Sequence, residues 1–420
     1  MKKKLDYKWV IASLCFLMIF TCLGFCSSTN GLFVRPVTQA LNLERSVYSL
    51  TDSFRYASVA IVNIFFGVLV MKYGTRKLIG AGFLSLVIAV CIYANANAFW
   101  HFYIGGIFLG VGFSWTTTTM VGCVVNRWCK GNVGTVMGAI LAANGLGGAF
   151  ATTIVTKIMG SSTDAFGYRK AYVVIAIVVA AVGVVVVSLF RERPKDFVHI
   201  AAKKDDKKSH GNSWVGIEYS KAVKMPYFYM AAVCIMLTGA ILQGITGASA
   251  AHLEDISITK SYVGLVLSVH SIFLAVFKFL TGVIYDKFGL KVTVNLCSVT
   301  AVGVMLVLAF VTNSPIGKML AMIYGVFAAL ALPLETIMLP IYASDLFGTK
   351  SFDKVLGVFV SVNSVGYALG SVVINGCYDI FGNYKGVFIA AAGVMVLLTV
   401  AMQYVMSKAN EQRKLVENKV

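Results

Sequence analysis

Charge is what this 420-residue chain lacks. Asp, Glu, Lys and Arg together make up 13% of it, against 58% hydrophobic residues. A soluble domain of that length needs far more polar surface, so the composition excludes one. Acid is the scarcer sign, with 18 Asp and Glu against 36 Lys and Arg and a net charge of +18. The nine cysteines form no CxxC and join no His-bearing cluster, which leaves them as small apolar packing residues and argues against a bound metal. No serine–histidine arrangement, phosphate-cradling glycine loop or ATP-binding domain is present either. An enzyme is therefore not expected, and no cofactor is.

What the chain does have is long apolar runs. They fall at about 9–34, 48–71, 78–95, 99–125, 133–159 and 172–190, then resume after a polar gap at 227–250, 262–285, 292–312, 316–343, 355–377 and 386–406. Each can cross a hydrocarbon core of about 30 Å as a helix. Membrane strands would instead show alternating segments of roughly ten residues. The first run is too long for a cleaved signal. The expected fold is an all-α integral membrane protein with twelve transmembrane helices in two six-helix, pseudo-symmetric bundles. Its expected parts are 1–190, a cytoplasmic linker at 191–225, and 226–420 with a short cytoplasmic tail. If the N-terminus is cytoplasmic, Lys and Arg concentrate in the cytoplasmic segments. The basic excess then reflects topology rather than a nucleic-acid partner, and both termini lie inside. Most of 191–225 reads as a charged, solvated tether, with Trp214 to Tyr227 apolar enough for a short helix on the membrane face.

The two halves repeat one another. Gly67-x-x-x-Met71-Lys72-x-Gly74-x-Arg76-Lys77 returns 215 residues later as Gly282-x-x-x-Asp286-Lys287-x-Gly289-x-Lys291. Asp164-x-Phe166-Gly167-Tyr168-Arg169-Lys170 returns at the same offset as Asp379-x-Phe381-Gly382-Asn383-Tyr384-Lys385. Trp128, Gly138 and Asn144 match Phe347, Gly357 and Asn363 at an offset of 219. A membrane chain of two similar halves is most economically a transporter. Gly74 and Gly289 fit tight turns, and Gly67 and Gly282 permit close helix contact. Arg76, Lys77, Lys287 and Lys291 are placed to meet a carboxylate or a helix end and hold one conformation shut. Only the second copy keeps an acid, Asp286, so the latch is expected to be asymmetric. Gly138, Gly145 and Gly148, with Gly357, Gly366 and Gly370, read as sliding surfaces between the halves.

Both loop phrases resemble the signature of the major facilitator superfamily, and the resemblance covers nearly all of the chain. Asn126-Arg127-Trp128, the run from Asp379 to Lys385, and Lys278 four residues before Gly282 look like the monocarboxylate transporters and their bacterial oxalate–formate exchange relatives. In that subgroup a helix-eight arginine at the place of Lys278 binds the substrate carboxylate. Two features depart from it. Leu274 stands where animal members carry an aspartate, and no second cation lies between Val355 and Cys377. The resemblance implies a small organic anion, moved with protons or against a counter-anion.

Charges inside apolar runs need a reason, since one at the bilayer centre costs roughly 2.5–3.5 kcal/mol on insertion scales. Arg55, Lys278, His270 and Glu335 qualify. The repeat maps His270 onto Arg55 and Lys278 onto Asn63, which suits an anion held by Arg55 and Lys278 with Asn30, Asn63 and His270 as hydrogen-bond partners. Asp52, three residues before Arg55, offers a structural pairing instead. Glu335 and Lys278 can neutralise each other when empty, leaving Glu335, or else His270, to carry a proton. His252, beside Glu254 and Asp255, reads as an outer-loop residue. Thr116 to Thr119 and Gln243, Thr246 and Ser249 form polar stretches on spans four and seven. The alternatives are a proton-coupled multidrug or small-molecule exporter of the same fold, and a transporter-like receptor. Compact loops and short tails suggest a bacterial plasma membrane, and the protein is expected to function as a monomer.

Overall fold

A run of about 20 apolar residues crosses a bilayer only as a helix, with its backbone N–H and C=O groups bonded within the segment. The computed structural model describes residues 7–43, 45–129, 132–160, 166–192, 214, 216–381 and 383–417, and these are helical apart from short connections. Most of the expected linker (193–213 and 215), together with Asp164 and Gly382 of the repeated loop phrase, lies outside the described residues.

Among the described residues, ten helices are long and apolar enough to span, and a pair bent by 61° between Leu50–Ile64 and Phe66–Tyr73 makes eleven. The helix Lys260–Ala309 is 50 residues long and breaks at Gly289, so it covers two of the expected runs. That accounts for the twelve. The merged helix has a local cause: Gly289 takes φ 78 and ψ 180, a single non-helical residue that turns the chain without a loop.

The chain divides into two compact units, one of residues 1–130 and 139–203 and one of 131–138 and 204–420. The first holds α1 (Tyr7–Cys26), α2 (Asn30–Leu41), α3 (Arg45–Ile64), α4 (Phe66–Tyr73), α5 (Thr75–Ala94), α6 (Phe99–Thr116), α7 (Thr118–Trp128), most of α8 (Val133–Gly160) and α9 (Gly167–Leu189). α3 lies against α6, and α5 against α6 and α9. The α3–α6 approach needs small residues. A Cβ on Gly106 would stand 2.8 Å from the Thr51 carbonyl, and one on Gly110 would run into the Arg55 carbonyl. Those glycines seat the turn that carries Arg55.

The second unit holds α10 (Tyr219–Ala222), α11 (Pro226–Asp255), α12 (Lys260–Ala309), α13 (Pro315–Ala331), α14 (Met338–Phe347), α15 (Phe352–Phe381) and α16 (Lys385–Glu417). α11 runs along α15, and α12 along α13 and α16. Gly366 and Gly370 of α15 meet the backbones of Met236 and Ala240 in α11. This corrects one expectation: these glycines serve close helix contact inside their own unit rather than sliding surfaces between halves. Gly148 does the same in the first unit, where its Cβ would meet Ser28.

Two further expectations change. His252 is buried inside α11, its Nε2 3.1 Å from the Leu308 carbonyl and its ring edge-on to Phe388. The acids after it end a helix instead of opening a loop. The stretch from Trp214 onward has only a four-residue helix, α10. Trp214 and Ile217 are buried against protein. The indole donates to the Ser344 carbonyl at 3.2 Å, Ile217 N–H donates to the Phe347 carbonyl at 2.9 Å, and Ser351 donates to the Ile217 carbonyl at 2.8 Å.

Candidate functional site

The first unit places Arg55 in the middle of α3, with its side chain 7% exposed. One guanidinium nitrogen lies 3.0 Å from Asp52, one turn earlier, and Asn30 donates to both oxygens of that carboxylate at 3.1 and 3.3 Å. Arg55 also stands over the Tyr56 ring at 4.7 Å and the Phe113 ring at 5.8 Å. Its Nε and Nη1 are buried without a hydrogen-bond acceptor, as are the hydroxyls of Thr51 and Tyr93. A buried donor left unmade costs about 1–3 kcal/mol, so this cluster is poised for an acceptor. Asn63, fully buried, donates to Ser114 and to the Val59 carbonyl, and its own oxygen accepts nothing.

In the second unit Lys278 and Glu335 are both buried. They act on each other electrostatically, yet the close ion pairs among the described residues are Arg55–Asp52 and Lys408–Glu411. The expected neutralising contact is thus at longer range. The reason is local. Glu335 ends a 3-10 turn, Leu332–Glu335, that interrupts span ten between α13 and α14. The carbonyl freed by that break accepts from Asn363 at 3.4 Å and from Tyr367 at 3.3 Å, both on α15. Glu335 Oε2 and Asn363 Oδ1 are buried with no partner. His270 bonds the Gly325 carbonyl at 3.1 Å through Nδ1.

Span four is broken too. Thr117 has φ −119 and ψ −148 between α6 and α7, and Thr336 has φ −127 and ψ −69 after the turn in span ten. The two lie 219 residues apart, the offset that pairs Asn144 with Asn363. Interrupted helices at corresponding repeat positions are a pointer to a transporter's binding region. Of the residues at these breaks, Thr117 lies in the polar stretch Thr116 to Thr119 and Asn363 in the repeat pair with Asn144, while Thr336 and Tyr367 are not singled out by the sequence. The signal was the offset itself, which carries Thr117 onto Thr336 and Asn144 onto Asn363.

The repeated loop phrases behave differently in the two copies. Gly74 takes φ 81 and ends α4. Arg76 stays within its own unit, donating to the Val187 and Ser188 carbonyls at the end of α9, while its N–H donates to Glu192 at 3.0 Å. Lys77, Lys287 and Lys291 are exposed, and Gly67 is buried in α4. Asp286 accepts from the N–H groups of Gly134 and Thr135 at 2.9 and 2.6 Å, at the first turn of α8. That is a carboxylate on a helix N-terminus, favoured by the dipole. Gly282 lies against the Gly134 backbone, where a Cβ would collide. Beside it Tyr285 donates to Asp345 at 2.9 Å.

Such a chain, all helix and spanning a membrane many times with polar groups sunk in its apolar runs, defines a multi-pass membrane transporter. The model of the Major Facilitator Superfamily matches residues 14–249 and 231–419, and the chain belongs to that family. It is similar to the E. coli fucose:proton symporter FucP, with a TM-score of 0.74 and 13% identity over 96% of this chain and 99% of that one. It is similar also to the human organic anion transporter MFSD10, at a TM-score of 0.71 and 11% identity over 94% and 99%. These likenesses concern the fold. An uncharacterized MFS-type transporter of Bacillus subtilis (strain 168), YcxA, is 25% identical over 186 residues, which span 42% of this chain and 42% of that protein. The family consists of transporters, not enzymes. Its members carry small-molecule substrates, often with coupled ions.

Proposed function

We propose that this chain is a secondary transporter of a small organic anion, a monocarboxylate, working by alternating access in a bacterial plasma membrane with both termini cytoplasmic. The observation that carries this reading is a buried intramembrane cation in each unit, Arg55 in the first and Lys278 in the second. Arg55 keeps two buried guanidinium nitrogens free of protein acceptors, and a carboxylate supplies what they lack. Lys278 is the anchor of the second unit, where His270 also lies, and Asn30 and Asn63 are the polar groups of the first. Lys278 and Asn126-Arg127-Trp128 resemble the monocarboxylate and oxalate–formate subgroup. Coupling to a proton or to a counter-anion follows from energetics, since carrying an uncompensated anion into a negative interior costs about 2.3 kcal/mol per 100 mV. Glu335 and His270 are the proton candidates in the second unit. Asp286 on the first turn of α8 serves as the latch of one conformation, with Gly282 and Gly289 shaping the close contact and the turn beside it and Gly67 and Gly74 their counterparts in the first copy.

Uptake of labelled small carboxylates into proteoliposomes tests this, with and without an acidic exterior, beside Lys278→Ala. Uptake lost by about 100-fold or more in the variant supports the reading, as expected when a buried charge loses its partner. No carboxylate transport by folded wild-type protein overturns it. A second reading has its own support. Glu335 Oε2 and Asn363 Oδ1 in the second unit are buried acceptors, which suit a hydroxyl-rich neutral solute. Including labelled sugars and polyols in the same panel separates the two.

A further inference from the structure

We infer that the first unit holds the substrate carboxylate in a cradle of Arg55, Thr51 and Tyr93 while Asp52 stays in place, and that a cavity beside this cradle sets the chain length the substrate can carry. This rests on the organic-anion reading above and narrows its substrate class to monocarboxylates with a chain of about two or three carbons.

The cradle is made of donors that no protein group takes up. Arg55 Nε and Nη1, the Thr51 hydroxyl and the Tyr93 hydroxyl are all buried without a hydrogen-bond partner. Thr51 lies one turn before Arg55 on α3, and Tyr93 of α5 acts electrostatically on the guanidinium. Two successive glycines of α6 bring these helices together. A Cβ on Gly105 would run into the Tyr93 ring, and one on Gly106 would crowd the Thr51 carbonyl. Asp52 does not have to leave for an anion to enter. It bonds Nη2 at 3.0 Å and leaves Nε and Nη1 unused, and a guanidinium offers five N–H groups in all. Asp52 is also 41% exposed and accepts from Asn30 on both oxygens, so water and an amide share its charge. The buried guanidinium therefore still attracts a second carboxylate, through charge-assisted bonds.

Against the same residues lies a cavity. Asn30 and Tyr93 line it, and Phe25, Phe33, Leu109 and Tyr172 give it apolar walls. Phe33 and Tyr172 stack with their ring centroids 4.0 Å apart, and the Tyr172 hydroxyl meets that of Tyr48, so this wall is fixed on both sides. The volume is about 10 Å³, room for one water-sized group. A methyl or methylene next to the carboxylate can settle there. A longer chain meets packed rings, and forcing extra methylenes into a packed interior is unfavourable. Donors thus select the head of the substrate and the cavity selects its tail.

The test is binding of acetate, propionate, butyrate and valerate to the purified full chain, measured by calorimetry. In wild type, acetate or propionate binds tightest and affinity falls from propionate to valerate. Thr51→Val and Tyr93→Phe each remove one hydroxyl and keep the shape, and each weakens the preferred acid by about tenfold. Thr51→Ser, which keeps the hydroxyl, recovers most of that loss. Leu109→Ala enlarges the cavity and raises the ratio of valerate to acetate affinity by about tenfold or more, as newly buried methylenes do. Val90→Ala enlarges the same cavity from α5 and covers the case in which Leu109→Ala folds poorly. Wild-type affinity in both Thr51→Val and Tyr93→Phe, or an unchanged order of chain lengths in the enlarged variants, overturns the proposal and leaves the anion reading intact. Wild-type protein that binds none of the four acids overturns both.

Discussion

Thr117 and Thr336, 219 residues apart, make the same bond at the same kind of break. Thr117 donates its hydroxyl to the Phe113 carbonyl at 2.7 Å, and Thr336 donates its hydroxyl to the Leu332 carbonyl at 3.2 Å. Each is half-buried, and each sits where its span stops being helical. Threonine can bond four residues back and bend a helix, and it makes that bond at both of these breaks. Replacing either by valine keeps the shape and removes the bond. The expected loss of stability is about 0.5–1.5 kcal/mol, read as a thermal shift in detergent. Transport should fall further than that shift explains, because the break presents the polar groups of its span. Equal loss in the two measurements would make the breaks structural only.

The small residues on α15 give a sharper contrast. Gly366 faces the Met236 backbone so closely that a Cβ has no room, whereas Gly393 on α16 has nothing within 4 Å. Gly366→Ala is expected to destabilise by about 1–3 kcal/mol through overpacking. Gly393→Ala should be neutral or stabilise by about 0.5–1 kcal/mol, since it only removes backbone freedom from a helix. Melting temperatures of the two purified variants check both signs in one experiment.

The twelve runs and the turning glycines were legible because hydrophobic length and a twice-written phrase are one-dimensional signals. Gly74 at φ 81 and Gly289 at φ 78 stand where the repeat put them. Arg55, Lys278 and Glu335 stood out as charges in apolar surroundings, and all three are buried. What each touches was not legible. Arg76 was expected to act as a latch, yet it closes the end of α9, because the carbonyls it meets lie more than 110 residues downstream. His252 was misread because acids at a helix end look like a loop. The break in span ten needed Pro333 and Thr336 to be compared with span four, and threonine inside an apolar run is too common to signal alone.

Asp286 and Glu192 each accept from backbone N–H at a helix N-terminus, and their surroundings predict different weights. Asp286 is half-buried and takes two backbone N–H groups, while Glu192 is exposed and takes one. Asp286→Ala should cost about 1–2 kcal/mol, the range for a lost cap with dipole support. Glu192→Ala should cost at most a few tenths of a kcal/mol, because water and salt screen an exposed charge. Repeating the melts at high salt should shrink the Glu192 effect and leave most of the Asp286 effect. Equal costs for the two would contradict this account of the caps.

Trp214 ends the segment that joins the two units' helices, and it is 5% exposed rather than solvated. Its carbonyl accepts from both the N–H and the hydroxyl of Thr349 at 3.4 Å, and its indole donates to Ser344. A tether would leave such a ring free, so Trp214 and residues 216–218 form a strap across the α14–α15 connection. Trp214→Ala removes the ring and should destabilise by about 3–5 kcal/mol, as for a large aromatic taken from a core. Trp214→Phe keeps most of the apolar contact and loses only the bond to Ser344, about 1 kcal/mol. The ordering wild type, Phe, Ala in thermal unfolding is the expected result. Because the strap holds the end of the span that carries Glu335, transport by Trp214→Ala should fall even at temperatures where the protein remains folded. Unchanged transport in a folded Trp214→Ala protein would confine the strap to a role in stability.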